Sequence, residues 1–200
     1  MKSELDKCLS GETFNSACAE MMQIIHQARH LTQAYNQSDS RDTDSRQNLL
    51  RQLFGRVGSN VNVDTPFYCD YGIHTLIGDN VIIGMNCTFV DCNTITIGNN
   101  VLIASNVQIY TASHSPKVEE RIIKDWHPGM EEPYFRTYAL PVVIEDNVWI
   151  GGGVIILPGV TIGRNAVIGA GSVVIKSIPP NTVAVGNPCR VLRSNDGDQA

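Results

Sequence analysis

Two hundred residues with a formal net charge of −5 at pH 7 and a hydrophobic content of 42% are enough for one domain, or for one domain with a helical appendage. The acidic balance argues against nucleic acid as a partner, and no run of 18 apolar residues is present that would cross a membrane. The first residues contain no apolar segment typical of a signal peptide, and the six cysteines show neither a CxxC pair nor zinc-ligand spacing. These features predict a cytoplasmic protein with reduced cysteines.

The N-terminal quarter of the chain, residues 1–55, is predicted to be a helical segment. Apolar side chains recur at three- and four-residue spacing through residues 1–35, with Asn15 or Ser16 as the candidate N-cap of a second helix. A polar linker, residues 36–46, precedes a short helix that ends near Gly55. Such a segment could cap the open end of the β-structure that follows, whose uncovered strand edges would promote aggregation.

Residues 57–76 are predicted to be irregular. Residues 64–74 place aromatic and polar side chains together, which is the combination that a sugar-like ligand requires. The alternative interpretation is a first, imperfect coil of the repeat structure that follows.

From residue 77 onward, a large apolar residue recurs every six residues, a period that neither an α-helix nor an ordinary amphipathic strand has. The upstream positions are Ile77, Ile83, Phe89, Ile95, and then Ile97, Ile103 and Ile109. The step of two between Ile95 and Ile97 indicates a wider corner near Asp91–Thr94. The period vanishes after Ile109 and resumes at Ile144, continuing through Ile150, Ile156, Ile162, Ile168 and Val174.

Hexapeptide repeats of this kind predict a mainly β protein, a parallel β-helix in which three hexapeptides close one triangular coil of 18 residues. The aliphatic residues would point inward, each contributing roughly 1.5–3 kcal/mol of burial, and Gly or Asn would form the corners. A strand-rich sandwich with coincidental spacing is the alternative, which six consecutive units disfavour. We assign the β-helix to residues 56–193, interrupted by one loop at 110–141, with a flexible tail at 194–200.

The long loop has a mixed composition that is typical of a segment lining one side of a substrate-binding site. At about thirty residues it exceeds the ~12–15 beyond which structureless loops are uncommon and usually functional. His114 stands where the chain leaves the coil, exposed yet held by a rigid scaffold, as a general base requires.

Charge is unevenly distributed along the chain. Residues 147–195 contain no Asp or Glu, whereas Arg164, Lys176, Arg190 and Arg193 are present. A locally basic stretch suggests an anionic ligand at that end, although solvated corner residues explain it equally well.

The sequence resembles the maltose and galactoside O-acetyltransferases, a branch of the hexapeptide-repeat acyltransferases, over nearly its whole length. The matching segments are Tyr68-Cys-Asp-Tyr-Gly, Ile97-Gly-Asn-Asn-Val-Leu-Ile-Ala, His114, Val148-Trp-Ile-Gly-Gly, Pro158-Gly-Val-Thr-Ile-Gly and Gly186-Asn-Pro-Cys-Arg-Val. The resemblance implies a left-handed β-helix, a homotrimer, acetyl-CoA between neighbouring subunits and a sugar-like acceptor beside the long loop, with no metal.

The resemblance also implies roles for individual residues. His114 would be the general base, Gly152 would donate a backbone N–H to the oxyanion, and Trp149 would pack at the reaction centre. The coenzyme groove would be lined by Gly152, Ala170, Ile175, Lys176, Arg190 and Arg193. On the acceptor side, Asp70 would contact the substrate.

Three acceptor-side positions depart from the galactoside branch. Ser16 and Cys92 stand where that branch often has Asp, and Gly84 stands where it often has Asn; the loop after His114 is about ten residues longer than usual. The coenzyme side is intact, so acetyl transfer to a hydroxyl group is expected, while the acceptor stays open.

Two other functions are compatible with a β-helix. A metal-dependent lyase resembling the γ-class carbonic anhydrases would need three convergent histidines, for which only His74, His114 and His127 are candidates. A non-catalytic β-helix scaffold would bind no coenzyme A.

Overall fold

The computed structural model describes residues 2–195 and begins with three helices. They are α1 (Glu4–Leu9), α2 (Ala19–Gln37) and α3 (Thr43–Leu53), whereas a fourth, α4 (Val118–Arg121), lies in the long loop. Residues 10–18 are not helical, contrary to the prediction for this stretch, because Phe14 is buried and forms a β-bridge with Thr137. No helix within residues 2–195 combines the length and the apolar character needed to span a membrane.

The start of α2 also differs from the prediction. Cys18 is the N-cap residue and makes no side-chain cap, so the proposal of Asn15 or Ser16 was wrong. The Asn15 side chain instead accepts the Ala17 N–H at 2.9 Å, which shapes the turn before the helix.

The remainder of the described chain is a parallel β-helix, as the hexapeptide period predicts. Successive strands belong in turn to three sheets, so each group of three closes one triangular coil, and five complete coils are followed by part of a sixth. The first sheet consists of β1 (Arg56–Val57), β4 (Thr75–Ile77), β7 (Ile95–Ile97), β12 (Val142–Ile144) and β15 (Thr161–Ile162). The second sheet consists of β2 (Val61–Val63), β5 (Val81–Ile83), β8 (Leu102–Ile103), β13 (Trp149–Ile150), β16 (Val167–Ile168), β18 (Thr182–Val185) and the antiparallel β19 (Arg190–Ser194). The third sheet consists of β3 (Phe67–Cys69), β6 (Cys87–Val90), β9 (Gln108–Tyr110), β14 (Ile155–Ile156) and β17 (Val173–Val174).

The register shows that the coils are of two lengths. Ile83 pairs with Ile103, twenty residues on, whereas Ile150 pairs with Ile168, eighteen residues on. The two extra residues lie in the wide corner that the step from Ile95 to Ile97 predicts. Residues 57–76 are not irregular, as was predicted, but form most of the first coil, the alternative interpretation.

One corner of the coils is built from a ladder of asparagines. Each of the six has a positive φ, between 54° and 61°, a conformation that Asn tolerates better than most residues. Each side-chain amide except the last donates to the next side-chain oxygen at 2.6–3.0 Å. The ladder runs through Asn60, Asn80, Asn100, Asn147, Asn165 and Asn181. It therefore links all the coils along one edge.

The interior of the coils forms one continuous apolar core. The residues that open the hexapeptides, from Ile77 to Val174, are at most 2% exposed. Cys87, interpreted from the sequence as a small core residue, is fully buried among them.

The helices α2 and α3 close the first coil, as predicted. Leu31, Leu50 and Leu53 belong to the same core cluster as the coil residues. Arg46 is buried there and, among residues 2–195, makes no ion pair with a carboxylate: it lies 4.3 Å over the Tyr35 ring and donates to the Val63 carbonyl at 2.9 Å. The helical segment and the β-helix consequently share one core.

The opposite end is closed by the antiparallel pairing of β19 with β18. This strand extends through Ser194, and the Asn195 N–H donates to the Asn181 carbonyl at 2.6 Å. Residues 194 and 195, predicted to belong to a flexible tail, are thus hydrogen-bonded, and residues 196–200 lie outside the described residues.

The long loop leaves the β-helix as a two-stranded projection, which we call the loop arm (residues 114–138). At its base β10 (Ala112–Ser113) pairs antiparallel with β11 (Tyr138–Ala139). Further out, Ile122 and Phe135 form a second antiparallel bridge. The arm is therefore an ordered element.

Candidate active site

His114 lies directly after β10, at the base of the loop arm, and is exposed. Its Nδ1 is 2.8 Å from the Arg136 carbonyl oxygen, which can only accept a hydrogen bond. Nδ1 consequently carries the proton in the neutral ring, and Nε2 keeps its lone pair. The ring packs at right angles against Phe135, with centroids 5.3 Å apart. The geometry suits a general base.

Hydrogen bonds within the loop arm fix the partners of His114. The Arg136 N–H donates to the Arg121 carbonyl at 2.7 Å, and the Arg121 guanidinium donates to the Ser115 carbonyl at 2.8 Å. Because Ser115 follows His114, this pair of contacts ties both sides of the arm together next to the imidazole.

Gly152 occupies the corner between the second and third sheets. Among residues 2–195 its N–H has no acceptor, while the neighbouring Gly153 N–H donates to the Ser105 carbonyl at 2.9 Å. The N–H groups of the equivalent corner residues Met85, Ser105 and Ala170 likewise have no acceptor in the described part of the chain. A free amide is thus common to this corner, and a specific role for Gly152 depends on what lies beside it.

His114 and Gly152 lie at opposite edges of the third sheet. Gly152 precedes β14, whereas His114 follows β9 and β10, and the strands of this sheet are parallel. The structure therefore does not bring these two predicted catalytic residues together within one chain.

Trp149 is on the outer face of the second sheet. Its side chain is 53% exposed and is in register with Leu102 in the coil below, which is in register with the exposed Ile82. These three side chains form a stripe of uncovered apolar surface next to the Gly152 corner.

Of the predicted coenzyme residues, Gly152 is half-buried, whereas the others are at the far end of the β-helix and are exposed. Ala170 is at the same corner as Gly152, one coil later, and Ile175 and Lys176 follow β17. Arg190 and Arg193 are on β19. Within residues 2–195 none of these three cations makes an ion pair with a carboxylate, which leaves their charges available to an anion.

Asp70 follows β3 and lines a cleft of about 410 Å³ with Tyr68 and Arg29. Burial raises the pKa of this carboxyl, and the charge of Arg29 acts in the opposite direction. Its side chain accepts no hydrogen bond from residues 2–195, so it is free to bind a ligand hydroxyl.

The other predicted acceptor residues are less accessible. Cys92 is buried near the corner that follows β6, and burial raises the pKa of its thiol. Gly84 is buried in the corner between the second and third sheets, the corner that also contains Gly152. A Cβ added to Gly84 would lie 2.7 Å from the Ser105 nitrogen. Ser16 is half-buried in the segment before α2.

Sequence reasoning missed a buried polar cluster in the wide corner. Asp91 is fully buried and accepts from the Tyr71 N–H at 2.8 Å, the Asp70 N–H at 3.1 Å and the Thr75 hydroxyl at 2.9 Å. Burial raises the pKa of this carboxyl, against the effect of those donors. The cluster fixes the turn that presents Asp70. The only sequence signal was an acidic residue between two buried strands.

Asn93, in the same corner, was also missed. Its side-chain amide is 2% exposed and donates to the carbonyls of Cys8 and Ala139 at 2.9 and 3.0 Å. It therefore fastens α1 and the returning strand of the loop arm to the β-helix.

The three candidate metal histidines have separate environments. His74 is buried, stacks on Tyr71 and contacts the Asp91 carbonyl, whereas His127 is exposed in the loop arm. In the described part of the chain no three His, Cys, Asp or Glu side chains form a group that could hold a metal ion.

Family models match three parts of the chain. Residues 7–58 match the maltose acetyltransferase hexapeptide capping motif, residues 75–111 match the hexapeptide repeat of succinyl-transferase, and residues 141–176 match the bacterial transferase hexapeptide model of six repeats. The first match covers the helical segment, and the others cover the coils on either side of the loop arm.

Individual relatives match almost the whole chain. The galactoside O-acetyltransferase of Escherichia coli is 40% identical over 97% of this chain and 91% of its own length. The crystal structure of a maltose O-acetyltransferase from Clostridium difficile is 44% identical, with a TM-score of 0.89 over 98% of this chain and 99% of that one. A hexapeptide-repeat acetyltransferase of Vibrio cholerae, complexed with acetyl coenzyme A, is 43% identical, with a TM-score of 0.85 over 98% of this chain and 100% of that one.

Proposed function

Because this chain belongs to the maltose and galactoside O-acetyltransferase family, we propose that it transfers the acetyl group of acetyl-CoA to a hydroxyl group of a sugar-like acceptor. The Vibrio cholerae relative binds acetyl-CoA, which supports the choice of acetyl donor. The observation that carries the proposal is the Nδ1–H of His114 held on the Arg136 carbonyl, which leaves Nε2 free to accept a proton.

The proposed reaction is a direct transfer in a ternary complex. His114 Nε2 takes the proton of the acceptor hydroxyl, and the resulting nucleophile attacks the thioester carbonyl. The free N–H of Gly152 stabilises the developing oxyanion, and coenzyme A departs as a thiolate that takes up the proton from His114. A covalent route through a buried cysteine is disfavoured, since burial raises the pKa of the Cys8 thiol to about 12 and that of Cys87 to about 11.

The coenzyme is proposed to lie along the far end of the β-helix. Lys176, Arg190 and Arg193 are exposed cations without carboxylate partners among residues 2–195 and suit the coenzyme phosphates. Ala170 and Ile175 provide exposed surface beside them, and Trp149 borders the reaction centre.

The acceptor is proposed to bind at the edge of the third sheet that carries Asp70 and His114. Asp70 supplies a partly buried carboxylate that accepts no hydrogen bond from the described residues and can therefore accept one from a sugar hydroxyl. Ser16 lies in the half-buried segment before α2, and the buried Cys92 and Gly84 shape the surroundings rather than reach the substrate.

A homotrimer follows as part of the same proposal. His114 and Gly152 are at opposite edges of one sheet, so a site that contains both is completed when two copies lie side by side. The uncovered stripe of Ile82, Leu102 and Trp149 supports an interface on the adjacent face. In a trimer with a threefold axis, this contact between neighbouring subunits would occur three times.

The test is His114→Ala, assayed by coenzyme A release with a panel of sugars and other hydroxyl compounds. Loss of a general base typically costs about 10²–10⁴-fold, so kcat should fall by that factor while KM for acetyl-CoA stays unchanged. His127→Ala is the matched control, because His127 is exposed in the same loop arm and, within residues 2–195, its ring hydrogen-bonds only to the neighbouring Pro128 carbonyl. A His114→Ala enzyme that retains more than about a tenth of kcat contradicts the assignment.

A further inference from the structure

Arg121, the last residue of α4, contacts the chain on both sides of the His114 ring. Its Nη1 donates to the Ser115 carbonyl at 2.8 Å and to the Pro116 carbonyl at 3.2 Å. Its own carbonyl accepts the Arg136 N–H at 2.7 Å, and the Arg136 carbonyl is the group that lies against Nδ1 of His114. Arg121 therefore connects the residue that follows the proposed base with the residue that orients its ring.

The Arg121 guanidinium is used for main-chain contacts and not for charge pairing. Among residues 2–195 it makes no ion pair with a carboxylate, although Glu119 and Glu120 precede it in the same helix. Glu120 instead accepts from the Ser115 hydroxyl at 2.6 Å and pairs with Lys117. Because one terminal guanidinium nitrogen carries two N–H donors, Nη1 can satisfy both carbonyls after His114 at once.

The segment that carries the Arg136 carbonyl is also fixed from its other side. The Thr137 carbonyl accepts the Phe14 N–H at 3.1 Å, and both of these residues are buried. Thr137 is thus anchored to the N-terminal segment, while Arg136 is held by Arg121. Arg121 lies in the loop arm, outside the coils, so loss of its side chain should alter the surroundings of His114 without removing a contact of the β-helix core.

We propose that Arg121 is a positioning residue for His114. It holds the main chain at Ser115 and Arg136 so that the imidazole keeps its proton on Nδ1 and presents Nε2 to the acceptor hydroxyl. This inference rests on the proposed function and adds to it a residue that acts through the base, without touching either substrate. A misplacement of about 1 Å in an active site can lower the rate about 10²-fold, so the alignment of one ring is enough for a large effect.

The first experiment is Arg121→Ala, assayed by coenzyme A release. We expect kcat to fall by about 10- to 100-fold, with an unchanged KM for acetyl-CoA, because the coenzyme is proposed to lie at the far end of the β-helix. Arg121→Lys keeps a cation and its donors without the planar fork and should lose less activity. Millimolar guanidinium ion should partly restore the kcat of Arg121→Ala and leave that of Arg121→Lys unchanged.

Lys124→Ala is the matched control. Lys124 is an exposed cation of the same arm, and within residues 2–195 its side chain makes no hydrogen bond or ion pair. Its removal should leave kcat at the wild-type value, with or without added guanidinium.

A double variant separates positioning from a general effect on the loop arm. If Arg121 acts through the imidazole, Arg121→Ala should change the residual kcat of His114→Ala by less than about twofold, because the group that it positions is already absent. A residue that supports the arm in some other way would lower kcat by the same factor in both backgrounds.

NMR of protein with isotope-labelled histidine nitrogens measures the tautomer without turnover. At a pH where the ring is neutral, His114 of the wild type and of Lys124→Ala should carry its proton on Nδ1, whereas Arg121→Ala should also populate the form with the proton on Nε2. Should Arg121→Ala not fold, Arg121→Lys takes its place in all three measurements.

The inference is overturned by any one of three results: a wild-type kcat in Arg121→Ala, equal losses in the wild-type and His114→Ala backgrounds, or an unchanged tautomer. Failure of the proposed function gives a different pattern, since no hydroxyl compound of the panel would then release coenzyme A. The tautomer measurement would still report whether Arg121 orients the ring.

Discussion

The coils before the loop arm and those after it use the same hexapeptide core but have different corners. Before the arm, each coil adds 20 residues, and the wide corner buries Asp91 and Asn93. After the arm, each coil adds 18 residues and its corners are short. Residues 147–195 contain no Asp or Glu. The extra residues in the early coils fasten α1 and the loop arm to the β-helix.

The two regions also carry different parts of the proposed active site. The early coils carry Asp70, His114 and the elements that surround them, which would contact the acceptor. The later coils carry Gly152 and the exposed cations Lys176, Arg190 and Arg193, which would contact the coenzyme. A fold of this kind can change its acceptor through corners and loops while its coenzyme side stays the same.

The largest effect on stability is expected from the buried corner of the early coils. Asp91→Ala should lower the free energy of unfolding by about 3–5 kcal/mol, because two buried donors and one partly buried donor lose their acceptor at about 1–3 kcal/mol each, partly relieved by relaxation. Urea unfolding measures the change.

Asp146→Ala provides the matched change in a later coil. Asp146 accepts the Asn99 N–H at 2.7 Å but is only half-buried, so water can replace it at a cost of about 1 kcal/mol. Equal losses at the two positions would contradict the distinction between the two kinds of corner.

A smaller effect is expected from the asparagine ladder, which both regions share. Asn147→Ala forces alanine into a φ of +61° and removes two side-chain hydrogen bonds, so we expect a loss of about 2–3 kcal/mol. Asn147→Gly keeps the conformation accessible and should cost less. Thermal or urea unfolding should also show almost no change for Asn62→Ala, which lies on an exposed strand position outside the ladder.

The smallest effect concerns the cations of the later coils. Arg190→Ala and Arg193→Ala should each raise KM for acetyl-CoA by about 3- to 10-fold, and by more at low salt, where a phosphate contact is less screened. Arg164→Ala is the control, since Arg164 is exposed in the same acid-free stretch but at another corner. If all three variants keep the wild-type KM at every salt concentration, the coenzyme is not bound by these cations.

The sequence by itself determined the β-helix, its interruption and the position of its wide corner. A six-residue period can be satisfied by only one common fold, because inward-facing aliphatic residues must recur once per side of each coil. The same reasoning placed His114 at the base of a long loop, and the closing of the first coil by helices followed from its open edge.

The tertiary structure decided which residues meet, because such contacts depend on pairs far apart in the chain. The Asn93 amide fastens Cys8 and Ala139, and the Arg136 carbonyl sets the tautomer of His114; neither pairing leaves a local signal. The helix prediction across residues 10–18 was wrong for the same reason, since Phe14 forms a β-bridge with Thr137 in the loop arm. Local periodicity specifies the repeat that a coil must satisfy, whereas the geometry of a site arises where distant corners are brought together by stacking.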